Sequence, residues 1–470
     1  METHIQVKKP KMMAFVLMLS AFIGLFGETA LNMALSNVME DYSVTAGTAQ
    51  WLTTGYLLVL AILVPISALL IRWFSTKTLV FIGIIISLIG AILAASSLSF
   101  TILLIGRLVQ AMGTGLILPV MTNVMLLIFP IHKRGMVMGI MGLVITTAPA
   151  VGPTLSGVII STLGWSYIFW FSAIFYVLLF FLALVYISNV SEITKPKIDA
   201  LSILLSTIGF GGLVYGLSSM AETTFSSPKV WGPLLVGCIA LVLFIVRQLT
   251  MKQPMLNLRV FKYPMFTLGT LTLFLSIVII LSTAILLPMY LKGSLLYTAA
   301  VAGLLLLPGN FINLLLTPII GACFDKVGPR KFVITGTIFV LIGNIIFVST
   351  IASTTPAWQI VVAFIVLFIG LSMVTMPSQT NALNQLPRQL YADGSAIQNT
   401  FNQVAGAVGT AIAITLFTTG QNNYSAGFPA AQGPEILAEG VKYAFYTITG
   451  ISVVTFFLSF FVKKGIPANK

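Results

Sequence analysis

Charge is what this sequence has least of. Asp, Glu, Lys and Arg make up 7% of its 470 residues, where soluble proteins carry roughly a quarter. No water-facing surface can be built from so few. Cysteine is scarcer still: Cys238 and Cys323 lie in or beside separate apolar stretches, which excludes a disulfide framework and a paired-cysteine metal site. The histidines are His4, near the N-terminus, and His132, among basic residues. No Ser, His and Asp set converges, so an intramembrane enzyme is a remote alternative. The absence of a Gly-rich loop closed by Lys-Ser/Thr argues against direct drive by ATP, and no soluble stretch is large enough for a receptor or scaffold.

Apolar residues, at 58%, fill the space. They fall in blocks of about 20, the length of helix that matches a hydrocarbon core roughly 30 Å thick. A membrane barrel would alternate apolar and polar residues instead. Fourteen blocks are expected to be helices: 13–35, 50–72, 78–97, 101–124, 136–161, 165–188, 198–219, 230–250, 266–291, 298–320, 331–351, 357–382, 396–418 and 441–463. The least hydrophobic is 198–219. Block one follows a basic segment as a signal peptide would, but it is too long and lacks a clear cleavage site. The fold class is therefore all-α and integral to the membrane.

The net charge of +13 looks at first like a nucleic-acid footprint, but its placement says otherwise. With the N-terminus inside, every one of the 24 Lys and Arg residues except Arg107, Lys229, Lys292 and Lys442 falls on the cytoplasmic side. That is the positive-inside bias, and it puts both termini in the cytoplasm. It leaves no call for nucleic acid.

Two stretches repeat. SALLIRWFSTKTL from Ser67 corresponds to GACFDKVGPRKFV from Gly321, and RGMVMGIMGLVITTAPAVGPTLSG from Arg134 to DGSAIQNTFNQVAGAVGTAIAI from Asp393. The similar offsets imply two six-helix bundles, 1–190 and 264–470, with two inserted helices in 191–263. Parallel halves of this kind place a substrate site at the midplane between them. The segment 419–440, rich in Gly, Pro and Asn, reads as an outside loop or lid.

Two charges stand away from block ends, Glu28 and Arg107; the remaining acids read as loop or tail residues, with Asp199 at an inner helix edge. At 1.5 Å per residue, Glu28 and Arg107 lie at matching depth, roughly 10 Å below the outer surface. Burial disfavours a carboxylate's charge while a neighbouring guanidinium favours it, the balance that allows proton uptake and release. Glu28 is the candidate proton carrier and Arg107 its modulator; the bland reading is a permanently protonated Glu28 and an anchoring Arg107. Asn32, Asn310, Asn313, Gln379, Asn399, Asn402 and Gln403 are candidates to line a cavity, or else to glue helices together. With one carboxylate among many Phe and Met side chains, such a cavity suits lipophilic neutral, zwitterionic or monocationic compounds.

ILLIGRLVQAMGTGLILP from Ile102 resembles the span-four motif of the major facilitator superfamily, and APAVGPTLSG from Ala148 resembles its span-five antiporter motif. GACFDKVGPRK from Gly321 resembles the loop motif after the second helix of each half. FGETALNMALSNV from Phe26 and GWSYIFW from Gly164 are similar to stretches in the fourteen-span drug:proton antiporters, which include quaternary-ammonium and lincomycin exporters. The resemblance implies export of lipophilic drugs across a bacterial cytoplasmic membrane, working as a monomer and driven by the proton gradient without a cofactor. An endogenous lipid or metabolite is the alternative cargo. It implies a proton-coupling role for Arg107 with Gln110, Gly113 and Gly115, and a hinge and seal at Pro149, Gly152, Pro153 and Gly157. A cytoplasmic conformational lock is implied at Gly321, Asp325, Gly328, Arg330 and Lys331. The first-half copy of that loop has Ile71 where an acid is expected and Ser75 where glycine is, so a weak or absent lock is expected there. The family's usual acid would stand at Gly27, about 100° around the helix from Glu28. Asn402 and Gln403 stand around the place where many relatives carry arginine.

Overall fold

The computed structural model describes residues 9–191, 193–220 and 227–465, apart from the side chains of 32, 36, 46, 47, 131, 146, 149, 150, 153, 154, 299 and 300. Every regular element among these is helical: α1 (Pro10–Ala30), α2 (Leu35–Asp41), α3 (Ala46–Trp73), α4 (Thr76–Ala95), α5 (Phe100–Ile128), α6 (Ile131–Thr162), α7 (Tyr167–Tyr186), α8 (Ala200–Ser219), α9 (Pro228–Thr250), α10 (Pro264–Gly293), α11 (Ala299–Val327), α12 (Pro329–Thr350), α13 (Ala357–Gln385), α14 (Tyr391–Gly427) and α15 (Gly433–Ser459), with three short 3-10 turns. Among the described residues thirteen helices are long and apolar enough to cross a membrane, and α6 runs for 32 residues beside them. Helices suit that setting because each satisfies its own backbone groups where water cannot. Polar residues between the blocks start the helices: Thr45, Ser75, Ser99 and Thr298 each accept a backbone N–H three residues on.

Each expected block contains a helix, including 198–219, but two boundaries move. Helix α1 stops at Ala30 rather than 35, passing through a 3-10 turn at Leu31–Met33 into the short α2. At the other end of the chain, the segment read as a lid from 419 is mostly helix, for α14 continues to Gly427. Gly420 and Gly440 face each other so closely that a β-carbon on Gly420 would lie 3.0 Å from Gly440 Cα. Hydropathy marks where lipid ends; this contact carries the α14–α15 hairpin past it.

Close backbone approach organises the packing. α4 lies on α5 through Gly83, Gly90, Gly106 and Gly113, and α12 lies on α13 through Gly336, Gly343 and Gly370. α8 and α9 pair through Gly209, Gly212, Gly216 and Gly237, and α8 packs on α3 and α14. At the foot of that pair Arg247 donates two hydrogen bonds to Asp199, at 2.6 and 2.9 Å. These bonds pull the Asp199 carboxyl down to about 2, well below its ordinary range.

The apolar core is continuous at one end and divided at the other. One cluster runs from Met13 and Met125 through α6 and crosses to Phe324, Met376, Leu383 and Ala396 on α11, α13 and α14. At the far end Phe26, Leu52, Leu103 and Phe169 form one cluster, and Tyr290, Phe347, Phe364 and Phe445 belong to another. The continuous end is the one that carries most of the lysines and arginines.

Candidate functional site

Glu28 sits in the last turn of α1, two residues before the helix breaks. Its carboxylate is half-buried, and Oε2 is enclosed with no hydrogen-bond partner. Arg107, on α5, is wholly buried. Its Nη1 donates to Gln110 Oε1 at 2.9 Å, while Nε and Nη2 have no partner. The guanidinium lies 4.3 Å from the ring centroid of Tyr56 and 5.9 Å from that of Phe169. Among the described residues no ion pair within 4 Å joins Arg107 to Glu28, though each is in the other's electrostatic reach. The face of α1 that meets Arg107 belongs to Gly27: a β-carbon there would lie 3.2 Å from Gln110 Nε2 and 3.8 Å from Arg107 Nη1. The side chain before Glu28 is missing where an acid would meet the guanidinium.

The other motif residues gather around this pair to different degrees. Gly113 brings α5 onto α4, where a β-carbon would collide with Ser87 and Gly83. Gly115 faces Leu63 on α3 at 3.2 Å. Gly152 lets α6 reach α1 beside the carboxylate, since a β-carbon would come within 2.3 Å of Thr29 Oγ1. Gly157 faces nothing within 4 Å, so of the two motif glycines Gly152 alone makes a close approach. The side chains of Asn32, Pro149 and Pro153 lie outside the described residues.

At the basic end the residues expected to form a lock make other contacts than expected. Among the described residues Asp325 forms no ion pair with an arginine or lysine; its carboxylate accepts the backbone N–H groups of Gly135 at 2.9 Å and Met136 at 3.1 Å, near the start of α6. A carboxylate beside the first turns of a helix is attracted to the positive end of its dipole. Gly321 packs on Gly135 and Gly139, while Gly328, at φ +84°, turns the chain from α11 into α12. Arg330 and Lys331 are exposed and take no part in an ion pair among the described residues. The first-half copy is not idle either: Arg72 pairs with Asp393, whose side chain is completely buried. Asp393, read as a loop residue, is in the first turn of α14 and also accepts Asn257 N–H at 2.9 Å. Glu28 is therefore not the only buried acid.

Arg134 adds to these contacts. It donates to Tyr391 Oη at 2.8 Å, Asn384 Oδ1 at 3.4 Å and Leu126 O at 2.5 Å, tying the start of α6 to α13 and α14. Sequence reasoning missed Tyr56, Arg134 and Asp393 as site residues. The signal for the last two was in the second repeat, which begins on them. A cavity of about 310 Å³ here, lined by His132, Asp325, Asn384 and Lys464 among others, lies at the opposite end of the helices from Glu28.

The amides are scattered in their roles. Asn313 Oδ1 accepts Ser372 Oγ at 2.6 Å, and Asn399 Nδ2 donates to Ser395 O at 2.8 Å and to Thr122 across the seam at 3.4 Å. These two bind helices together. Gln379 is buried, Asn310, Asn402 and Gln403 are half-buried, and Asn402 Oδ1 is enclosed without a partner.

Comparison with known proteins follows the same outline. The Major Facilitator Superfamily profile matches residues 17–410. The chain is 51% identical over 455 residues to the lincomycin resistance protein LmrB of Bacillus subtilis (strain 168), covering 95% of each. It is 28% identical over 408 residues to the multidrug export protein EmrB of Haemophilus influenzae, covering 85% of this chain and 79% of that one. Among solved structures, the proton:xylose symporter XylE superposes with a TM-score of 0.68 at 15% identity, covering 97% of both chains. The human organic anion transporter MFSD10 superposes at 0.65 and 13%, covering 96% and 99%.

Proposed function

Because the chain belongs to the major facilitator superfamily, we propose that it is a proton-coupled exporter of lipophilic drugs. It works without a cofactor, as a monomer in a bacterial cytoplasmic membrane. In this reading fourteen helices span the bilayer with both termini in the cytoplasm, as bundles 1–190 and 264–470 joined by the inserted pair in 191–263. The observation that carries the reading is the buried Arg107 beside the enclosed, unpartnered Glu28, where α1, α3, α5 and α6 converge. The resistance proteins named above supply the cargo class.

The chemistry follows from access. With the basic end closed by Arg72, Asp393, Asp325 and Arg134, Glu28 faces the outside and takes up a proton there. Protonation removes the charge that α1 would otherwise carry through the rocking movement. Once the basic end opens, drug entering from the cytoplasm or inner leaflet favours proton release to the cytoplasm. Gly152, pressed on Thr29, seals the path beside the carboxylate, and the gate residues exchange their cross-helix partners in each cycle.

The test is lincomycin efflux driven by a pH gradient in inverted vesicles. Glu28→Gln should reduce it to background while leaving the protein folded and inserted. Undiminished gradient-driven efflux in that variant would remove Glu28 from the role.

A further inference from the structure

This inference rests on the proton-coupling reading and concerns what holds Arg107 in place. A guanidinium has five N–H donors, yet this one is wholly buried with a single hydrogen bond, to Gln110, and no carboxylate within 4 Å. An uncompensated buried cation is too costly to persist. What compensates it is the π-face of Tyr56, 4.3 Å away, with Phe169 further off. Such attraction is strongest where water is excluded.

Tyr56 is itself held from two sides. Its hydroxyl donates to Gly24 O on α1 at 3.0 Å and is hydrogen-bonded to Thr114 Oγ1 on α5 at 2.7 Å. Gly24 is one turn before Glu28 on α1, and Thr114 is about two turns beyond Arg107 on α5. The same residue thus grips both helices and offers its ring to the guanidinium. Arg107 can also reach the neighbourhood of Glu28, because its Nη1 lies 3.8 Å from where a β-carbon on Gly27 would be. The titratable groups in contact or electrostatic reach are Glu28 on α1, Tyr56 on α3 and Tyr176 on α7.

We propose that Tyr56 is a positioning residue of the proton site: its ring holds Arg107 off Glu28 in this state. When the Glu28 proton leaves to water, the guanidinium passes from the ring to the new carboxylate. That exchange of partners, with no bond made or broken beyond the O–H, links proton release to movement of α5 against α1.

The test needs no cargo. In the purified full chain, the carboxyl C=O infrared band of Glu28 is identified by its disappearance in Glu28→Gln, and its pH midpoint is followed in Tyr56 variants. Tyr56→Phe keeps the ring and should leave the midpoint within about 0.3 pH unit. Tyr56→Leu frees Arg107 to favour the ionised carboxylate and should lower it by about one unit, a tenfold change. Trifluorophenylalanine at position 56 keeps the shape with a depleted π-face and should fall between, which carries the test if the Leu variant does not fold. A midpoint unmoved by Leu or by the fluorinated ring overturns the role of Tyr56 alone. A band that Glu28→Gln leaves intact overturns the coupling reading beneath it.

Discussion

The α4–α5 and α12–α13 pairs are one arrangement made twice and then equipped differently. Gly83 meets Gly113 as Gly336 meets Gly370, and Gly90 rests on the backbone of Gln110 as Gly343 rests on that of Leu367. The first helices correspond at 253 residues' distance and the second at 257. In that register Arg107 becomes Phe364 and Gln110 becomes Leu367. Gly309, against the Phe364 ring, is followed by Asn310 as Gly55 is followed by Tyr56. At these positions the backbone demands of the fold are met alike in both pairs, while the buried guanidinium is built in one only. Glycine here answers to packing in both pairs, and a buried arginine is added in one.

The comparison breaks most violently if the second pair is given the first pair's charge. Phe364 is 4% exposed and stacks on Phe368 at 4.4 Å, so Phe364→Arg buries a cation with no partner. It should destabilise by about 3–5 kcal/mol, read as failure to accumulate in the membrane. The converse, Arg107→Phe, should leave the melting temperature nearly unchanged, because the desolvation cost it relieves offsets the lost contacts with Tyr56 and Gln110. Gradient-driven efflux should fall to background. A stable protein with normal efflux would refute the functional half of the comparison.

Smaller effects sharpen the same contrast at the gate, where the halves also differ in chemistry. Asp393→Ala leaves Arg72 unpaired, and since Arg72 is 19% exposed the cost should be nearer 2 kcal/mol than the fully buried figure. In a protein with Cys238 and Cys323 replaced by Ser, a Leu386→Cys probe should then label faster from the cytoplasmic side. Asp325→Asn keeps an acceptor at the start of α6 and should cost about 1 kcal/mol, with a lesser rise in labelling. Outside both pairs, Asp199→Asn should leave efflux unchanged. It should lower the melting temperature by about a degree or less, because the pair is partly exposed. That difference exists above the ordinary carboxyl value of 3.8 and disappears as pH falls towards about 2.

Helices were legible in the sequence because lipid imposes one demand, a run of about 20 apolar residues. Boundaries were less so: Ala30 ends α1 within an apolar run, and α14 continues beyond its own. Arg107 stood out because a charge in hydrocarbon is conspicuous. Asp393 did not, for it lies in the polar stretch between blocks 357–382 and 396–418, and its partners Arg72 and Asn257 are distant in the chain. Tyr56 was invisible for a related reason. An aromatic in a membrane helix is ordinary until a guanidinium is found over its ring.

The seam between α6 and α11 has a thermodynamic consequence. Gly135, Gly139 and Gly321 meet there backbone to backbone, so closing it immobilises almost no rotamers and opening it liberates almost none. The two surfaces can part and rejoin many times with little entropic resistance. The balance between the closed and open forms is then left to the few polar contacts at its rim.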